Sequence, residues 1–347
     1  MKHNIIEAME LPKIVELEKG LHGVVFDIMK LLPAHYLIDK ARQEGLVNKD
    51  ITIIETSSGT FALALAMVCN LYGYNLIIVS DPVIDDNLKR RMEDLGAKVE
   101  IVSEGDGTLG LQEIRLNRVN ELLKKYPNSF WTNQYDNYDV VDAYTVVGEQ
   151  IIREIGRIDA VIGSVGTGGS MTGICQYLKD IFPKLYVIGV DTNGSVLFGQ
   201  EKRKHILRGL GNTILPKNVN HRLFDEVHWM DADQAYMETR NLHEKHSLFM
   251  GGTSGASYAV AKWYINEHPD KKVVTLFPDQ GYRYQETIYN DNWLKTNGLW
   301  LSTLPKEPRL VNSPIEAQIS GGWNRFLWNN RSYIEVIGGK NEQRCSY

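Results

Sequence analysis

The sequence predicts an α/β protein built from two doubly wound, parallel-sheet domains. Short β-branched runs alternate with helical patterns, glycine- or hydroxyl-rich turns join the runs to the helices, and the alternation starts again near residue 140. Repeated strand–helix units of this kind bury a parallel sheet between helices on both faces.

The elements follow in chain order. ITIIE (51–55) is the first predicted strand, short, β-branched and followed by a Ser/Gly turn. FALALAMVCNLYG is a helix, with Gly73 as its stop. NLIIVS (75–80) is a second buried strand and DDNLKRRMEDLG a helix. KVEIVS (98–103) is a third strand, and LGLQEIRLNRVNELLKKY is the next helix. After residue 140, AYTVVGEQIIREIG is helical, DAVIGSV (159–165) is a strand, and GTGGS is a turn. MTGICQYLKDIF is then a helix and KLYVIGVD a strand. KKVVTLFP (271–278) is a further strand running into a DQG turn. From residue 297 the character changes. GLWLSTLPKEPRLVNSP is a Pro-punctuated connector, and SGGWNRFLWNNRSYIEVIGG reads as a short aromatic β segment.

Composition narrows the function classes. The net charge of -5 over 347 residues, with no basic block, argues against a nucleic-acid partner. No apolar run approaches the roughly 18 residues of a membrane span. The N-terminus shows no apolar h-region, and Cys69, Cys175 and Cys345 are too widely spaced for a CxxC unit. A cytoplasmic protein is expected. His243 and His246 have ligand-like spacing without a third ligand nearby and read as surface residues, so no metal site is expected.

Two loops could hold ligands. Gly166-Thr167-Gly168-Gly169-Ser170 lies between a β run and a helix. Glycines there let backbone N–H groups approach a phosphate, and the helix dipole adds to the attraction. A plain tight βα turn is the alternative. The loop is neither a Walker A sequence nor a GxGxxG fingerprint. The second loop, Glu55-Thr56-Ser57-Ser58-Gly59-Thr60, suits a carboxylate or a merely capped helix start. Two such loops in one doubly wound chain favour a cofactor phosphate in one and a substrate carboxylate in the other.

At this point the residues resemble a known family. GSVGTGGSMTGI resembles the phosphate loop of cysteine synthases and other fold-type-II pyridoxal-phosphate enzymes. ETSSGTFALALAM resembles their substrate-carboxylate loop, MKLLPAHYLID their Schiff-base lysine segment, and FPDQGYRYQETIYNDNWL the segment at the pyridine nitrogen. The resemblance runs over residues 14 to 295, with the motifs in family order. VDTNGSVLFG, RGLGNTILP, FMGGTSGASYAVA and WTNQYDN resemble a siderophore-pathway branch that joins O-phosphoserine to glutamate.

The resemblance implies a fold of the tryptophan synthase β-subunit-like type and pyridoxal 5'-phosphate as cofactor. It implies a smaller substrate-carboxylate domain over 40–140 and a larger cofactor domain over 1–39 and 141–296. Residues 297–347 would form a C-terminal extension of unknown role. Lys30 falls at the cofactor-binding and catalytic lysine. Gly166, Thr167, Gly168, Gly169 and Ser170 would cradle the phosphate, Thr60 would meet the phenolic oxygen, and Gln280 would face the pyridine nitrogen as a neutral partner. Ser57, Ser58, Gly59 and Gln134 would hold the substrate carboxylate. Gly209 and Gly211 would line the entrance.

The implied activity is β-replacement through an aminoacrylate. O-phosphoserine or O-acetylserine would be the donor, and an amine or a thiol the second of two small substrates. Simple β-elimination and a non-catalytic binding role are the rivals. A homodimer is expected by analogy.

Overall fold

The computed structural model describes residues 1–103 and 110–338. Cys345 lies outside the described residues. The strands are β1 (Lys13–Glu18), β2 (Leu21–Val25), β3 (Thr52–Thr56), β4 (Asn75–Ser80), β5 (Lys98–Ile101) and β6 (Ser129–Trp131). They continue with β7 (Ala160–Ser164), β8 (Tyr186–Asp191), β9 (Glu226–Trp229), β10 (Val273–Phe277), β11 (Arg309–Leu310) and β12 (Asn324–Leu327).

Among the described residues these strands form two sheets. The smaller has the order β5-β4-β3-β6 and is parallel throughout. The larger has the order β1-β2-β10-β7-β8-β9-β12-β11. Its centre, β2 to β9, is parallel, while β1 and β12 join it antiparallel. The protein is thus α/β with two sheet units, each built on a parallel core.

Local chemistry accounts for the elements near the site. β3 is buried on both faces, with Ile53 packing into the main core and Ile54 into a separate cluster beneath helix Leu111–Lys125. Helix Thr60–Tyr72 is apolar almost throughout because it lies inside the main core. Gly73 ends it in the left-handed region, as its sequence position predicts. The main core contains Ile53 and Ile78 of the small sheet together with Val161 and Val187 of the large one. One continuous apolar mass therefore couples the two sheets. Helices Ala232–His246 and Gly252–Glu267 cover the other face of the large sheet.

Two strands precede ITIIE, where the sequence predicts none. β2 pairs in parallel with β10 in the register Leu21↔Val273 through Phe277↔Val25. Gly23 is needed there, since a Cβ would stand 2.8 Å from the Phe277 ring. The C-terminal extension is integrated rather than appended. β12 pairs with β9, and Trp328, fully buried, meets Phe198 edge to face at 5.2 Å between ring centroids. The predicted aromatic β segment is a strand only over Asn324–Leu327; it then turns into helix Tyr333–Ile337.

Candidate active site

The loops that follow β2, β3, β7 and β10 line a single cleft. All four leave C-terminal strand ends, where open α/β sheets place their ligands. On leaving β2, the Met29 N–H donates to the Pro278 carbonyl at 2.8 Å, and Lys30 then begins helix Leu31–Gln43. Lys30 Nζ donates to Thr167 Oγ1 at 2.9 Å. Two motifs distant in sequence meet through this bond. Lys30 is half-buried where it lines the cleft, and burial pulls its pKa down to about 8.

The glycine loop is held rigidly. Gly166, Thr167 and Ser170 line the cleft, whereas Gly168 and Gly169 pack behind it. A Cβ on Gly168 would stand 2.5 Å from Val219 Cγ2, and one on Gly169 would stand 2.6 Å from Val140 Cγ1. Thr172 Oγ1 donates to the Asn218 carbonyl at 2.7 Å, and Asn218 Nδ2 donates to the Gln134 carbonyl at 2.9 Å. Helix Gly169–Ile181 leaves its first N–H groups without intrahelical partners, at the loop that borders the cleft.

Across the cleft, Ser57, Ser58, Gly59 and Thr60 form the turn from β3 into helix Thr60–Tyr72. The Gly59 N–H donates to Ser57 Oγ at 3.2 Å. Gln134 lies beside them, and its Nε2 donates to the Thr56 carbonyl at 3.0 Å. The second Nε2 hydrogen remains for a ligand. Glu55 organises this wall. It is fully buried and accepts from Thr132 Oγ1 at 2.5 Å, from the Thr56 N–H at 2.6 Å and from the Gln134 N–H at 3.1 Å. Burial pushes its carboxyl upward while these donors pull it down.

This chain matches the sequence model of the family described as "Pyridoxal-phosphate dependent enzyme" over residues 29–279. It belongs to that family. It is 34% identical over 310 residues to N-(2-amino-2-carboxyethyl)-L-glutamate synthase of Cupriavidus metallidurans, covering 84% of this chain and 91% of that protein. A synthase of the same name from Ralstonia nicotianae is 34% identical over 296 residues, with 82% and 88% covered. A hydrogen sulfide-producing enzyme from Fusobacterium nucleatum superposes with a TM-score of 0.75 at 26% identity, covering 82% of this chain and 100% of that one. The O-acetylserine dependent cystathionine beta-synthase of Helicobacter pylori shares the fold, with a TM-score of 0.76 at 24% identity over 83% of this chain and 98% of that one.

The residues present fit pyridoxal phosphate. The N–H groups that begin helix Gly169–Ile181 border the cleft, packing against Val219 fixes the loop behind them, and the Lys30 amine, its pKa lowered by burial, bonds Thr167 of the same loop. One expected residue lies elsewhere. Gln280 does not line the cleft, because its Nε2 is drawn to Asp27 Oδ1 at 3.0 Å and its backbone bridges Met250. The group that this segment turns inward is Asp279, which accepts from Tyr284 Oη at 2.9 Å. Burial pushes the Asp279 carboxyl up, against the pull of the Arg283 guanidinium.

Three arginines were not foreseen. Arg115, Arg208 and Arg283 all line the cleft. Arg115 is 3% exposed and lies 3.4 Å from Asp81, yet its Nε and Nη1 have no hydrogen-bond partner. A signal for it exists in the sequence. Arg115, Val119 and Leu122 form the buried stripe of helix Leu111–Lys125, so an arginine occupies an apolar position. Among the described residues no group of His, Cys, Asp and Glu is arranged to hold a metal ion.

Proposed function

We propose that this enzyme joins the β-carbon of O-phosphoserine to the amine of an amino acid, glutamate foremost. The observation that carries the donor choice is Arg115. Its buried guanidinium has one acid, Asp81, 3.4 Å from Nη1, yet Nε and Nη1 make no hydrogen bond, so donors remain for a second anion. A phosphate leaving group offers charge-assisted, two-point hydrogen bonding that a neutral acetyl group cannot. The curated relatives support the acceptor, since their name describes glutamate bearing a 2-amino-2-carboxyethyl group on nitrogen.

The residues take the following roles. Gly166 to Ser170 hold the cofactor phosphate against the start of helix Gly169–Ile181. Ser57, Ser58, Gly59 and Thr60, with the free Nε2 hydrogen of Gln134, hold the donor carboxylate. Lys30 Nζ takes the donor's α-proton, because an amine with a pKa of about 8 is a competent base near neutrality. Pyridoxal phosphate, when bound, supplies an electron sink for the pair left on the α-carbon. Arg115 receives the phosphate as the Cβ–O bond breaks with its electron pair. The incoming amino acid gives one N–H proton to solvent, its neutral amine forms the new Cβ–N bond, and Lys30 returns a proton to the α-carbon.

The test compares O-phosphoserine with O-acetylserine in the presence of glutamate, scoring released phosphate or acetate and the coupled product by mass spectrometry. O-phosphoserine is expected to be favoured, and Arg115→Gln is expected to lower that preference by about 10- to 100-fold. Equal use of both donors by wild type and variant would remove the phosphate reading. Release of ammonia and a 2-oxo acid without coupled product would favour elimination.

A further inference from the structure

The cleft carries more positive charge than the donor requires. Arg208 comes from the irregular segment between β8 and β9, and Arg283 from the turn after β10. Both line the cleft from the large sheet's side, whereas Arg115 lines it from the helix over the small sheet. Arg283 is held in place, its guanidinium carbon 4.7 Å from the Tyr284 ring centroid, and its buried Nη1 has no hydrogen-bond partner. Arg208 forms no hydrogen bond and no ion pair among the described residues.

The two guanidiniums repel each other, and each remains charged at all working pH values. Asp81 attracts Arg208 and Asp279 attracts Arg283, but among the described residues neither carboxylate is in ion-pair contact with that arginine. Asp81 pairs with Arg115 at 3.4 Å, and Asp279 is bonded by Tyr284. Asp85, the remaining acid that acts on Arg283, caps helix Asp86–Asp94 through the Leu88 N–H. A like-charged pair with spare donors, facing a cleft, is compensated when an anion enters between its members. The donor's own anions have other places, its carboxylate at Ser57 to Thr60 and its phosphate at Arg115.

We infer that Arg208 and Arg283 receive the side-chain carboxylate of a dicarboxylic amino acid as it enters as the nucleophile. This rests on the β-replacement reading above. A sulfide, a thiol or a neutral amino acid would gain nothing from this pair, so the pair selects a dicarboxylic acceptor over a neutral one.

The experiment uses the holoenzyme and has two readouts. The first is calorimetric titration with glutarate, a dicarboxylate without an amine, beside butyrate. Wild type is expected to bind glutarate, Arg208→Gln about 10- to 100-fold more weakly, and Arg208→Lys in between. The second is the KM for glutamate and for glutamine at saturating O-phosphoserine, together with the donor concentration that half-shifts the cofactor's visible band. Arg208→Gln is expected to raise the glutamate KM by a similar factor while glutamine and donor values change little.

A raised donor requirement with an unchanged glutamate KM would overturn the inference and move Arg208 to the leaving group. Equal use of glutamate and glutamine by wild type would also overturn it. Should no donor shift the band, the β-replacement reading falls by itself. The glutarate titration then decides the anion site alone, and equal binding by wild type and Arg208→Gln overturns it. Thermal melts of both variants guard against misfolding.

Discussion

Gly168 and Gly59 each stand at the entrance of a helix on the cleft, yet a methyl group added to them would meet different surroundings. At Gly168 the backbone has φ +85, and the added Cβ would lie 2.8 Å from the Val219 backbone nitrogen. At Gly59 the φ is -135, and nothing lies within 4 Å of an added Cβ. The Gly166–Ser170 loop is locked by its conformation and by its packing. The loop of residues 57–60, which follows a strand of the other sheet, leaves open space. A cofactor that stays needs a preorganised seat, whereas a substrate that comes and goes needs room.

The C-terminal extension lies on the locked side of this comparison. Gln318 Nε2 donates to the Glu201 carbonyl at 2.7 Å, and Asn193 Nδ2 donates to the Gly322 carbonyl at 3.1 Å. Within the same segment, Ser195 Oγ accepts from the Asn212 N–H at 3.0 Å, and Asn212 lines the cleft. The extension thus braces the segment that carries Arg208.

The largest effect is expected at the contact between Lys30, the proposed cofactor lysine, and the locked loop. Lys30→Ala should lose covalent cofactor attachment, read as loss of the visible band, and at least about 10³-fold in activity. Loading of cofactor-free wild type should rise with pH and level off above a midpoint of about 8, because burial disfavours the ammonium and the free amine is the reactive form. A loading rate that stays flat through that pH would break the assignment.

Next in size is the brace. Trp328→Ala removes a fully buried ring and should cost about 3–5 kcal/mol in denaturant melts. A loss below about 1 kcal/mol would place the extension outside the rigid half. Gly168→Ala should cost about 2–4 kcal/mol through left-handed strain and overpacking, with weakened cofactor retention on dialysis. The smallest stability change belongs to Gly59→Ala, within about 0.5 kcal/mol. Its donor KM should nevertheless rise, since the methyl would stand in the cleft. A large stability loss there would erase the contrast between the loops.

Legibility in the sequence followed the range of the forces involved. The runs that became β3, β4, β5, β7, β8 and β10 are β-branched and bounded by turn residues, so local pattern was enough. β2 was not legible, because LHGVV is short, contains a glycine and becomes a strand only by pairing with β10. β6 has three residues and β9 four, and neighbouring strands define both. The Lys30 and glycine-loop segments were recognisable, but their meeting at 2.9 Å was not. Gln280 was expected in the cleft, and Asp27, a residue from the far end of the chain, draws its amide away.

Alone, the sequence determined the α/β class, the βα loops that border the cleft and the family to which the chain belongs. These depend on hydrophobic period, turn chemistry and glycine placement, which are properties of neighbouring residues. Only the tertiary structure decided which side chains share the cleft. Arg115, Arg208 and Arg283 come from three separate segments, and no local pattern encodes their convergence. Charge acts through space, so the electrostatic character of the site appears only once the sheets have brought those segments together.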